Sequence, residues 1–102
     1  MLFITQESEI SSPIAIKSLY FYASWMPYHK KMMVMIDKME QKYKEIEFLA
    51  IDVDYFKGLC KRFNIESIPT ILIINKGEEL KRINGLIMTS ALKSAFADIC
   101  NS

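Results

Sequence analysis

Leu19-Tyr20-Phe21-Tyr22-Ala23-Ser24-Trp25-Met26-Pro27-Tyr28-His29-Lys30 places two kinds of local structure back to back. Leu19 to Ala23 is an unbroken apolar run rich in aromatic rings. Such a run suits a strand covered on both faces, as in a parallel sheet, where neither side needs polar residues. A helix is predicted to open at Trp25 to Pro27. Ser24 can serve as its N-cap, and a proline in the first turn lacks only an N–H that has no intrahelical acceptor. Beyond it Tyr28, Met32, Met35, Ile36, Met39 and Tyr43 repeat at helical spacing, with Lys31, Asp37, Lys38, Gln41 and Lys42 on the opposite side.

On the N-terminal side, Leu2 to Thr5 reads as a short first strand, and Ser11-Ser12-Pro13 forces any helix before it to be brief. On the C-terminal side, Glu47 to Val53 reads as a strand with an apolar centre. Tyr55, Phe56, Leu59, Cys60 and Phe63 give a second amphipathic helix that Asp54 could cap. Ile71 to Ile74 is a buried-type strand, and Asn75-Lys76-Gly77 is a tight turn leading into a hairpin partner, Glu78 to Ile83. Leu92, Ala95, Phe96, Ile99 and Cys100 form the apolar stripe of a last helix that starts at Thr89 or Ser90. The order is βαβαβαββα with a short first helix. It implies an α/β fold with a mixed central sheet and helices on both faces.

The chain has 102 residues, of which 51% are hydrophobic, which suits one domain spanning 1–102 with a real core. Thirteen basic residues face twelve acidic ones. That balance gives no electrostatic footprint for nucleic acid or an anionic membrane. No apolar run reaches the roughly 18 residues of a membrane span. Met1 to Glu7 lacks the basic start of a secretory signal, so a cytoplasmic, reducing location is the expectation. Cys60 and Cys100 lie forty positions apart, which is neither a disulfide framework nor a zinc pattern. No cofactor motif is present.

Phe21-Tyr22-Ala23-Ser24-Trp25-Met26-Pro27-Tyr28-His29-Lys30 resembles the active-site strand and helix start of the thioredoxin family, F-x-A-x-W-C-x-x-C-K. Asp52-Val53-Asp54 resembles the end of that family's third strand, and Ile68-Pro69-Thr70 its cis-proline loop. Gly77 and Gly85 fall at the glycines of the terminal hairpin and of the loop after it. The resemblance covers essentially the whole chain. It implies a thioredoxin fold and, for the family, protein-disulfide oxidoreductase activity.

The departures from the pattern bear on chemistry. In the family the first cysteine attacks a substrate disulfide as a thiolate, and the second resolves the mixed disulfide. Met26 and His29 stand at those two positions. A thioether has no proton to lose and forms no disulfide, and an imidazole resolves none. The family mechanism therefore has no route here. The family's buried Asp and its Lys partner correspond to Tyr20 and Ala50. Pro27-Tyr28, however, is the middle pair of the Cys-Pro-Tyr-Cys motif of glutaredoxin-like proteins. Two readings stay open: a naturally redox-inactive relative, or an oxidoreductase whose cysteines were replaced at positions 26 and 29.

Trp25, Pro27, Tyr28, Ile68, Pro69 and Leu86 match family positions that surround the active site as an apolar platform. There an extended polypeptide pairs with the residue before the cis-proline. The resemblance thus implies that a protein or extended peptide is the partner of a monomeric domain. Met26 and His29, at i and i+3 in a first helical turn, pair a thioether with an imidazole. That pair suits copper(I), but two ligands do not make a metal site, so none is assigned. Cys60 and Cys100 sit on apolar helical stripes, on opposite sides of the sheet in the resembled fold, and read as small core residues. His29, the one histidine, reads as a partly exposed surface residue before any catalytic one.

Overall fold

The computed structural model describes residues 1–86 and 89–100. Its strands are β1 (Leu2–Phe3), β2 (Ile16–Tyr22), β3 (Glu47–Asp52), β4 (Thr70–Asn75) and β5 (Glu78–Asn84). Its helices are α1 (His29–Lys42), α2 (Lys57–Arg62) and α3 (Thr89–Cys100). The short first helix is a 3-10 turn, Glu7–Ser11. The five strands form one sheet in the order β1-β3-β2-β4-β5. β1 and β2 run parallel to β3, β4 is antiparallel to β2, and β5 is antiparallel to β4.

β2 explains the two-sided core. Because successive side chains point to opposite faces, Tyr20 and Tyr22 go one way and Leu19 and Phe21 the other. The first pair packs with Met32, Ile36, Met39 and Phe96 from α1 and α3. The second packs with Leu49, Ile51, Leu59 and Leu72, the side covered by α2 and the 3-10 turn. Tyr20, Phe21 and Leu19 are fully buried, which is what a continuous apolar strand requires. Cys60 packs against the α2 side and Cys100 against the α1 and α3 side, so the sheet separates the two free thiols.

Three expectations need correction. α1 starts at His29, four residues later than Trp25, and Ser24 caps nothing. Pro27 disfavours the α conformation for the residue before it, and Tyr28 then enters the helix with φ at 66°. α2 starts at Lys57 after Phe56, and Asp54 does not cap it. β2 starts at Ile16, upstream of the apolar run, because its pairing with β3 and β4 already includes Ile16, Lys17 and Ser18, and the last two are buried there despite being polar. Lys17 achieves this by donating its ammonium protons to the carbonyls of Ser12 (3.1 Å) and Ile14.

The β4–β5 turn follows from two left-handed residues, Lys76 (φ 52°) and Gly77 (φ 84°), the geometry that matches strand twist in a two-residue hairpin loop. A Cβ on Gly77 would meet no atom within 4 Å, so only backbone conformation resists substitution. Gly77→Ala is expected to lower the unfolding free energy by about 1 kcal/mol. Urea unfolding measures this, and an unchanged midpoint would refute the account of the turn.

Candidate functional site

Four chain segments meet at one end of the sheet. They follow the C-terminal ends of the parallel strands β2 and β3, precede β4, and follow β5. The segment after β2 turns at once, with the Met26 N–H donating to the Ala23 carbonyl at 3.1 Å. Pro27 and Tyr28 follow, and Met32 N–H to Tyr28 carbonyl (2.9 Å) is the bond that secures the start of α1.

The Ile68–Pro69 peptide bond is cis. The Gly85 N–H donates to the Pro69 carbonyl at 2.8 Å, which ties the loop carrying Leu86 to the proline loop. The Thr70 hydroxyl donates to the Ser67 carbonyl (2.7 Å) and contacts Asn84 Oδ1 (3.0 Å), closing the same corner. Gly85 holds φ at 83°, a conformation that favours glycine.

The two positions that decide the chemistry are built into the packing. Met26 is 6% exposed and belongs to the core cluster with Tyr20, Met32 and Phe96. Its thioether is an apolar filler there. His29 is half-buried and stacks on Tyr22, with ring centres 4.5 Å apart and planes within 5°. Its Nδ1 lies 2.9 Å from the Tyr20 hydroxyl. Burial raises the Tyr20 pKa far above the usual phenol range, so that hydroxyl keeps its proton. The hydroxyl donates to Nδ1 in the neutral tautomer that carries its proton on Nε2, and accepts from Nδ1–H in the other tautomer and in the imidazolium. Met26 and His29 do not share a helical turn, because Met26 lies ahead of the helix with its side chain in the core. No cluster of three His, Cys, Asp or Glu side chains suited to a metal occurs among the described residues.

Around these two positions the surface is apolar and aromatic. Trp25 is 70% exposed, Tyr28 61% and Leu86 53%. Pro27 is also exposed, while Ile68 and Pro69 are half-buried, with Ile68 packed on the cluster that contains Met26. The Trp25 indole N–H donates to Asp54 Oδ2 at 3.0 Å, which fixes the ring against the loop after β3. Asp52 Oδ1 in turn accepts the Asp54 N–H at 2.9 Å. This is the role the structure gives Asp54 in place of the helix cap.

Tyr20, Tyr22, Asp52 and Asp54 were not among the site residues expected from sequence. A signal for the first two existed. Two tyrosines at i and i+2 on one strand share a face, and that face meets the sole histidine at the start of the next helix. Asp54 carried no comparable signal, since its partner Trp25 lies 29 positions away.

A thioredoxin family model matches residues 5–98. The chain belongs to the thioredoxin family. It is 31% identical over 93 residues to Thioredoxin-1 of Saccharomyces cerevisiae, an alignment covering 88% of this chain and 89% of that protein. The fold agrees with solved thioredoxins. The oxidised thioredoxin of Plasmodium falciparum superposes with a TM-score of 0.87 at 24% identity, covering 97% of each chain. The thioredoxin of Trypanosoma brucei brucei gives 0.88 at 17% identity over 100% of this chain and 92% of its own. Thioredoxins are disulfide oxidoreductases, so the family's usual activity and the residues at 26 and 29 stand in direct contrast.

Neither remaining thiol is activated. Burial pushes the Cys60 thiol up, and burial reinforced by Glu45 pushes Cys100 to about 11. Each therefore stays protonated and a poor nucleophile at neutral pH.

His29 supplies a pH signature. Burial pulls its pKa below the ordinary 6.5, and the Asp52 charge opposes this with a smaller upward pull. The unfolded chain then binds this proton more tightly than the folded one. His29 should thus reduce stability as pH falls through 6.5, and leave it unaffected above. Imidazole resonances followed by NMR should titrate below 6.5, and lower still in Asp52→Asn. A midpoint above 6.5 contradicts the packing described.

Proposed function

We propose that this chain is a thioredoxin-family domain that binds polypeptide and carries out no thiol–disulfide exchange. One observation carries the reading. The side chains at the two dithiol positions are engaged inward, Met26 in the core and His29 on Tyr20 and Tyr22, while the ring of apolar residues around them stays open to solvent. Exchange chemistry needs a thiolate at the helix start, and none is available there. A binding surface needs only exposed aromatic and apolar side chains held on a rigid frame.

The surface proposed comprises Trp25, Pro27, Tyr28, Ile68, Pro69 and Leu86. The partner is a protein segment in extended conformation, lying along the backbone of Ile68 by strand addition and covering Trp25 with its side chains. Trp25 suits an anchoring role because its indole orientation is already fixed by Asp54, so little rotamer freedom is lost on binding.

Amide-resonance titration with an unfolded, disulfide-free polypeptide such as reduced carboxymethylated lactalbumin tests this reading. Shifts should cluster at Trp25, Tyr28, Ile68 and Leu86, and Trp25→Ala should weaken binding about tenfold or more. Titration that moves none of these resonances removes the proposal. Insulin reduction by the unaltered chain is expected to equal the blank.

A second reading, an oxidoreductase with its cysteines replaced, is favoured by the retained Pro27-Tyr28 pair. Met26→Cys combined with His29→Cys decides it. Restored insulin reduction supports this reading, and a folded double variant without activity ends it.

A further inference from the structure

The end of the sheet opposite Trp25 and Pro69 carries a cavity of about 280 Å³. It lies where β2 begins and β4 ends, with Ile74 paired across from Lys17. Among its walls are Ser12, Ile14, Lys17, Arg62, Phe63 and Lys76. Three of these are cations, and no carboxylate lines the cavity. The chain as a whole is almost neutral, with a formal charge of +1, so this concentration of positive charge is local.

Lys17 is the unusual member. It is 5% exposed, and a lysine that deeply buried is ordinarily matched by a carboxylate. Here its ammonium donates to two backbone carbonyls, Ser12 and Ile14, both on the cavity wall. It takes part in no ion pair among the described residues. An ammonium has three N–H donors, so one remains. Glu47 lies across from Lys17 on β3, where it accepts the Ser12 hydroxyl at 2.6 Å and makes no ion pair with the ammonium. Arg62 is exposed and lies over the Phe63 ring, 5.0 Å from its centre, which steadies the guanidinium at the cavity edge. Arg62 and Lys76 likewise form no ion pair among the described residues.

A buried ammonium with an unspent donor, flanked at one concavity by two cations that form no ion pair among the described residues, is suited to a dianion. Each charge-assisted hydrogen bond gains from the lowered dielectric around Lys17. We propose that this cavity is a binding site for a small oxyanion of the phosphate or phosphate-monoester class, held by Lys17, Arg62 and Lys76. Lys17 fixes the anion from inside, and the two surface cations close on it from the rim. The cavity has room for the tetrahedral group and a small organic substituent. The site is independent of the polypeptide surface and involves none of its residues.

The test is an amide-resonance titration of the full chain at constant ionic strength with inorganic phosphate, with methyl phosphate, and with chloride as reference. Saturable shifts should appear at Ala15, Lys17, Lys76 and Gly77 with the phosphates and not with chloride. Equal affinity for the two phosphates assigns the site to the phosphoryl group alone, and tighter binding of methyl phosphate assigns it to a monoester. Arg62→Gln and Lys76→Gln should each weaken binding about tenfold. Both replace exposed side chains, so folding is retained. Lys17→Met should abolish binding; if that variant does not fold, the two rim variants still decide. Phosphate shifts no larger than those from chloride, or an affinity unchanged in both rim variants, overturn the proposal.

Discussion

The burial of β2 on both faces is the constraint on which the rest of this molecule depends. One strand must supply apolar side chains to two separate layers, and it does so by simple alternation. Leu19 and Phe21 fill the α2 side, and Tyr20 and Tyr22 the α1 and α3 side. Its backbone is paired on both edges, parallel to β3 and antiparallel to β4. Everything placed at the two ends of β2 is therefore held on a rigid base. At its C-terminal end stand the dithiol positions and the proline loop. At its N-terminal end stands the buried ammonium of Lys17.

The tyrosines tie that packing to chemistry. An apolar strand made of leucine and valine would have offered His29 nothing to bond. Tyr20 presents a hydroxyl at the point where the ring nitrogen arrives, and Tyr22 presents a ring face at stacking distance. The histidine thereby becomes a part of the packing, its inward nitrogen satisfied and only its outer edge facing water. Met26 completes the same closure on the core side. With both positions turned inward, what remains outward is a surface of rings and aliphatic groups.

The order of strands and helices was legible because each element carries its own period: the unbroken run at Leu19, the helical repeat from Met32 to Met39, the left-handed turn at Lys76-Gly77. Element ends were less legible, and the misses share a cause. α1 starts after Tyr28, whose left-handed backbone (φ 66°) precedes the helix, a feature that a capping rule at Ser24 does not include. The extension of β2 to Ile16 depends on Lys17 finding carbonyls in a loop that folds back over it. Asp54, a reasonable cap by local rules, is drawn instead to an indole far away in sequence.

What the sequence by itself determined is the family frame and the loss of the thiols, since atomic composition at two positions is enough to exclude a thiolate. The tertiary structure alone decided what those positions do instead. Whether Met26 faces solvent or core, and whether His29 is a free base or a stacked and hydrogen-bonded ring, depends on Tyr20 and Tyr22 of β2 and Phe96 of α3 meeting them in space. The same holds for Lys17, whose composition reads as surface and whose surroundings make it interior. Local sequence encodes backbone preference and side-chain chemistry, whereas burial and partnership arise only when distant segments share one space.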